Sequence, residues 1–240
     1  MINMKLRTLI VALLPLVLFA GCKKEPQVPQ VVPGVFSVSE TKQVQFTRCN
    51  LAEDGISFVS NPWDYGGYFG WGTGTNPTNT SRDWHGYQTF EDWGKTIGDG
   101  WRTLSAEEWL YVVSGRKDAG AKRATGTVNG VHGLILLPDA WRMPEHGYFT
   151  AGLNKWDGNN NYSEYVWQAM EGAGAVFLPA AGYRCGAEVD SVGIRGSYWS
   201  SSPCDEYDAY SMFFYENRAN VRGNYFRDLG LSVRLVRDNN

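Results

Sequence analysis

The residues able to do chemistry are sparse and poorly placed for it. His85, His132 and His146 are far apart in turn-like contexts, and none belongs to a metal-spaced pair. Ser200, Ser201 and Ser202 lack the flanking glycines of a nucleophile elbow and have no histidine paired with them by motif. Asp205, Glu206, Asp208 and Glu216 are close enough to suggest an acid and a base, yet in so polar a stretch they read as a solvated face. Cys49, Cys185 and Cys204 are spaced too widely for a zinc ribbon and lack histidine partners. The sequence therefore offers no catalytic residue, no metal site and no cofactor site. It offers instead seven aromatic residues between Tyr207 and Phe226, set among Asp, Asn, Arg and Ser without a histidine. Tyr and Phe give wide contact for little side-chain entropy, and short polar residues give adaptable hydrogen bonds, as in antibody loops. That composition suits non-covalent recognition.

The elements that must carry such a surface begin after a leader. Lys5 and Arg7 precede an apolar run, Thr8 to Ala20, too short to span a bilayer and shaped like a secretory signal. It ends in "LFAGC", which resembles a bacterial lipobox, with Phe19 where Leu is more usual. Residues 1–21 are read as the signal and Cys22 as the lipid anchor, acylated with palmitate-like chains. Residues 22–34, polar and proline-rich, read as a flexible tether. Residues 35–240 form a single domain, with the recognition region at 194–231. Removing the leader takes two of the 22 cations and none of the 25 acids, so the mature chain is acidic and no nucleic-acid partner is expected. The expected place is the outer membrane, at the cell surface, with the periplasmic face left open. An oxidising compartment permits a disulfide, and Cys185 with Cys204 is the favoured pair because both lie in glycine- or proline-marked turns.

Strands are expected at Gly34 to Val38, Gln43 to Thr47 and Ile56 to Val59, and buried strands in "GLILLP" at 133–138 and "AVFLP" at 175–179. "NPWDYGGYFGWGTGTNPTN" is too irregular for regular structure and is expected to lay its rings over a sheet. Ser105 followed by Glu108 is a capping box, opening a helix that puts Trp109, Val112 and Val113 on one face and ends at Gly115. A second helix is expected from Ser163 to Glu171, with Val166, Trp167 and Met170 inward. Strands and turns fill the last fifty residues, where alternation puts Tyr210, Met212 and Phe214 on one face and Ser211, Phe213 and Tyr215 on the other. Two helices, a twisted sheet and long loops make an α+β domain.

In order along the chain, "FGWGT" at 69–73, "GWRTLSAEEW" at 100–109, "GLILLPDAW" at 133–141, "VFLPAAGYR" at 176–184, "GSYWSSS" at 196–202 and "GLSVRLVR" at 230–237 resemble one family. These strings look like the Fibrobacter major paralogous domain proteins, lipoproteins of Bacteroides-like gut bacteria and their phages. The resemblance covers roughly residues 40 to 237. It implies a C-type-lectin-like fold: two short helices with a small twisted antiparallel sheet and long loops. It also implies a variable protein of a diversity-generating retroelement, in which Asn codons of a template mutate at adenines to give Tyr, Asp, Ser, Phe, Arg, Gly, Cys, Leu and others, but never Glu or Met.

On that resemblance the ligand-binding positions are Cys204, Asp205, Tyr207, Asp208, Ser211, Phe213, Tyr215, Asn217, Arg218, Asn220, Arg222, Asn224, Tyr225, Phe226, Asp228, Leu229 and Leu231. Met212 and Phe214 would be framework, as would Glu206 and Glu216, which the scheme cannot generate. The bland alternative for Phe213, Tyr225 and Phe226 is burial in the core. The expected partner is a protein or glycan at a cell or phage surface, with the membrane reached through the lipid. An adhesin or structural component of surface fibres is the alternative of a different class. Formylglycine-generating enzymes share a related fold and a likeness to "GSYW" and "LSVRLVR", but they need a cysteine pair near the end of the domain, where only Cys204 lies. Calcium-dependent sugar binding would need converging oxygen ligands that "MPEHG" at 143–147 and "WDGNNN" at 156–161 supply poorly.

Overall fold

The computed structural model describes residues 30–73, 89–156 and 158–239. Cys22, His85, most of the expected tether and the leader lie outside the described residues. Three short helices and four separate, mostly antiparallel sheets make up the described chain. The expectation of a small lectin-like sheet with two helices is therefore corrected. The difference arises because short apolar runs far apart in sequence pair in several small sheets instead of collecting into one.

The first sheet joins the two ends of the domain. Strand β1 (Phe36–Ser37) pairs with β2 (Gln43–Phe46), β2 with the last strand β13 (Leu235–Asp238), and β13 with β3 (Trp101–Thr103), all antiparallel. The chain is already packed before β1: Val31 bridges to Thr47 and Val32 is buried, so the expected tether gives way to packed structure by Val31. The expected strand at Ile56 to Val59 is reduced to a tight turn followed by an isolated bridge between Phe58 and Leu51. Asp54 accepts hydrogen bonds there from the backbone of Ile56 and Ser57, competing with a strand ladder.

Helix α1 (Gly94–Ile97), a single turn, was not foreseen. Gly94 opens it against the carbonyl of Trp101, 2.1 Å from where a Cβ would stand, so only glycine fits. Helix α2 (Ala106–Leu110) starts at the expected capping box: the Ser105 hydroxyl accepts from the Glu108 amide at 3.2 Å, and Glu108 Oε2 accepts from the Ser105 amide at 2.8 Å. It continues as a π-helical turn, Tyr111–Gly115, and carries Trp109, Val112 and Val113 into the core.

The second sheet orders β6 (Asn161–Tyr162), β4 (Arg123–Val128), β5 (Val131–Leu136) and β7 (Val176–Pro179), with only the β4–β6 pair parallel. Helix α3 (Glu164–Gly172), capped by Ser163, lays Trp167 and Met170 against Ile135, Phe177 and Tyr162. A hairpin of β8 (Tyr183–Cys185) and β9 (Glu188–Asp190) forms a sheet of its own, tied to Gly230 through a bridge at Arg184.

The sheet that carries most of the expected contact positions is β10 (Gly196–Pro203), β11 (Asp208–Tyr215) and β12 (Arg218–Phe226), in that order, so β12 is an edge. It separates two cores. On one face Tyr198, Met212, Phe214 and Val221 join Phe36, Phe46 and Trp109. On the other Trp199 and Ala209 join Phe69, Trp71, Trp93, Leu229 and Leu231. The aromatic stretch before residue 74 is tied in by polar ends: Trp71 Nε1 donates to the Ser200 carbonyl at 2.9 Å and Trp199 Nε1 to the Phe69 carbonyl. Arg234, in the terminal strings, is fully enclosed and donates to Asn50 Oδ1 and to the carbonyls of Thr47, Arg48 and Phe177. No disulfide joins Cys49, Cys185 and Cys204; the favoured Cys185–Cys204 bridge does not form.

Candidate ligand-binding site

Because both faces of the β10–β12 sheet are covered over much of their length, simple alternation does not expose every second residue. Ser211 is completely buried, and its hydroxyl lies 3.3 Å from the Gly223 carbonyl. Asp228, Leu229 and Leu231 are also buried, the two leucines inside the second core. These four expected contact positions are corrected to interior ones: Ser211 lies on a strand packed on both faces, and Asp228, Leu229 and Leu231 follow β12 in a turn and bridge folded back against the second core.

The register breaks between Trp199 and Pro203 in the β10–β11 pair and again in the β11–β12 pair. Ser211 opposes Gly223 and Phe213 opposes Asn220, so Met212 faces two residues, Val221 and Arg222. This bulge brings Asn220 and Gly223 to the same face. Gly223 is needed where it stands: a Cβ there would lie 2.4 Å from the Phe213 ring, which covers the place a side chain would take.

The remaining expected positions fall into three groups. Arg218, Asn220, Arg222, Asn224 and Phe226 are exposed along the edge strand, alternating with half-buried or buried Ala219, Val221, Gly223 and Tyr225. Phe226 is 54% exposed, so its burial as a core ring is excluded. Arg222 reaches Glu107 at 2.7 Å, tying the strand to α2.

The second group is the loop from Cys204 to Asp208. Asp205 and Tyr207 are exposed there, and Cys204 and Asp208 half-buried. The loop is stiff. Asp205 Oδ1 accepts from the amides of Asp208 and Tyr207, which hold its carboxyl below the usual range. Arg227, stacked 4.5 Å over Trp71, donates to the carbonyls of Asp205 and Asp208 from beneath. Asn224 Nδ2 donates to Asp208 Oδ2 at 2.9 Å, and burial pushes the Asp208 carboxyl up.

Phe213, Tyr215 and Tyr225 form the third group, with Tyr183 of β8. They are half-buried and surround one guanidinium. Arg195 Cζ lies 4.5 Å from the Tyr225 ring centre, 4.8 Å from Phe213, 5.0 Å from Tyr183 and 5.7 Å from Tyr215. Phe213 stands edge-on to both Tyr215 and Tyr225 at 5.9 Å. Burial raises the Tyr225 hydroxyl, and Arg195 beside it pulls the other way. Arg195 escaped the sequence reading, because its four rings come from three separate strands and no spacing announces them.

A cleft of about 540 Å³ opens at the end of the β11–β12 hairpin, lined by Trp156, Ile194, Tyr215, Glu216, Asn217 and Arg218. Its volume lies within the range of small-ligand sites. Trp156 is held rigid, stacked on His132 at 5.2 Å and 5°, with His132 Nδ1 2.7 Å from the Gly193 carbonyl. Tyr215 is sandwiched, with Arg218 at 4.7 Å on its ring and Arg195 beyond. The Thr125 hydroxyl fixes the turn by donating to the Glu216 carbonyl at 2.8 Å. Neither Glu216 nor Asn217, the two turn residues, has a left-handed backbone. Two further clefts among the described residues, along β2 and β13, lack such rings and are lined mainly by polar side chains, one of them by Arg102, already bound to Glu108 and Asp238. Among the described residues no cluster of His, Cys, Asp and Glu could hold a metal ion.

Residues 156–236 match a family model described as a domain of unknown function (DUF8237), less than half of the chain. That span includes every residue lining the hairpin cleft. No curated protein and no solved structure matches the chain.

Proposed function

We propose that this chain is a lipid-anchored surface protein that binds a ligand without covalent chemistry, at the β11–β12 hairpin cleft and the exposed edge beside it. One observation carries this reading most strongly: the cleft combines aromatic walls with Asn217, Glu216 and Arg218, all exposed to solvent. Rings pre-set by stacking lose little entropy on contact, and amide, carboxylate and guanidinium groups supply directional bonds. The stiff 204–208 loop extends the surface with Asp205 and Tyr207. The anchor is Cys22, and the place is the outer membrane.

Retroelement variation, if this gene undergoes it, is confined by the packing. Asp205, Tyr207, Asn217, Arg218, Asn220, Arg222, Asn224 and Phe226 can change without emptying a core, whereas Ser211, Asp228, Leu229 and Leu231 cannot. A second, adenine-rich copy of the codons for 196–237 in neighbouring DNA, differing at the first set and identical at the second, would bear this out. Its absence favours an adhesin role.

Binding itself is tested on an array of oligosaccharides and surface proteins probed with the purified chain. The paired change Asn217→Ala with Tyr215→Ala is expected to abolish signals that Thr41→Ala leaves intact. Signals indifferent to the cleft pair would refute the assignment.

A further inference from the structure

Five arginines are buried among the described residues: Arg116, Arg184, Arg195, Arg227 and Arg234. Four of them have hydrogen-bond acceptors that explain their burial. Arg116 is paired with Asp139 at 2.9 Å and donates to the carbonyls of Val112 and Leu137. Arg184 donates to the carbonyls of Gly186 and Tyr68. Arg227 and Arg234 are likewise held by carbonyls, and Arg234 by Asn50 as well.

Arg195 differs. It is 6% exposed, its one side-chain hydrogen bond is with the Tyr225 hydroxyl, its Nε and Nη2 have no partner, and four aromatic rings surround it with no carboxylate. A buried cation ordinarily has an anion or a set of acceptors, because losing water without replacement is costly. The missing partner is expected from outside.

Arg195 lies behind the cleft wall and does not line it; Tyr215 connects the two. Its ring is one wall of the box around Arg195 and also lines the cleft, where Arg218 stacks on it. Ile194, the residue before Arg195, is 60% exposed and lines the same cleft. Two guanidinium groups thus flank Tyr215 against the single carboxylate of Glu216.

We propose that the hairpin cleft takes a saccharide carrying a carboxylate, a uronate, with the acid group drawn to Arg195 and Arg218 around Tyr215. This rests on the ligand-binding reading of the cleft above. A carboxylate matches the planar fork of a guanidinium, which a single point of charge does not. The sugar's apolar ring face meets Trp156 and Tyr215, and its hydroxyls meet Asn217 and Glu216. The compact cleft fits one or two sugar rings better than the extended groove an acidic peptide would need.

The test is calorimetric titration of the purified chain with trigalacturonate and with its methyl ester at matched ionic strength. The acid is expected to bind at least tenfold more tightly than the ester. Arg195→Met, checked by circular dichroism, is expected to remove that preference while changing ester affinity less than threefold. Arg195→Lys, which keeps a cation but loses the fork, is expected to lose most of the preference and serves if the Met variant fails to fold. Equal affinity for acid and ester, no binding of either, or a preference surviving in folded Arg195→Met would overturn the proposal. So would Arg195-dependent binding of a polyglutamate peptide in place of the sugar. If acid and ester bind equally but Asn217→Ala weakens both, the cleft reading stands and only the acidic preference falls; if Asn217→Ala changes neither, both fall.

Discussion

Arg195 and Arg234 are both buried guanidinium groups, yet replacing each by Met should have very different consequences. Arg234 satisfies four acceptors, Asn50 Oδ1 and the carbonyls of Thr47, Arg48 and Phe177, at 2.9 to 3.1 Å. Methionine fills the space but leaves those acceptors without a donor, a loss of about 3–5 kcal/mol by analogy with broken buried charge networks. Arg195 satisfies few. Its four rings contribute about 0.5–2 kcal/mol each. Against this stands a desolvation penalty of several kcal/mol that no anion offsets. The two nearly cancel, so Arg195→Met should change stability by about 1 kcal/mol or less in either direction. Urea unfolding at pH 7, read by tryptophan fluorescence and compared at equal m-values, measures both. A loss for Arg195→Met as large as that for Arg234→Met would show the box to be structural, and the reasoning that gives Arg195 an external partner would fail.

Trp199→Ala should cost about 3–5 kcal/mol, whereas Phe226→Ala, at an exposed edge position, should stay within about 0.5 kcal/mol by thermal melting. Ser105→Ala removes one half of the capping box and should lower stability by about 1 kcal/mol in the same assay. Burial raises the Asp139 carboxyl, but hydrogen bonds from Ser37 and Arg116 outweigh it and hold the group below its ordinary value of 3.8. Its contribution is therefore present above the unfolded value and lost as pH falls through the lower folded one. The stability gap between the wild type and Asp139→Asn should accordingly narrow in acid titrations below about pH 4. With no disulfide in the described chain, a reducing agent should leave the melting temperature unchanged, and a fall of several degrees would reveal a bridge.

Local signals in the sequence were legible where a few neighbouring residues decide the structure. The capping box at Ser105 and Glu108, the Ser163 start of α3 and the apolar runs of β5 and β7 all stand as their residue types imply. What failed to show was everything that depends on a second layer. Alternation in "DAYSMFFYE" separates Met212 and Phe214 from Phe213 and Tyr215, but it cannot say that Leu229, Leu231 and Trp199 cover the side on which Ser211 lies. The bulge opposite Met212 and the one-turn helix at Gly94 arise from close contacts made by residues far along the chain. Most of the exposed polar positions and half-buried rings of β11 and β12 were placed by composition, since Asn and Arg at an edge strand remain accessible. The guanidinium at their centre was not, because an isolated Arg in "VGIRGSYW" gives no sign of four rings around it.

Shift mapping by amide and indole NMR of the isotope-labelled chain, titrated with trigalacturonate, probes the recognition site most directly. Perturbations should gather at Ile194, Tyr215 to Arg218 and the Trp156 indole, and leave Arg102 and Asp238 unmoved. Shifts centred on the β2–β13 edge, or none at the hairpin, would contradict it.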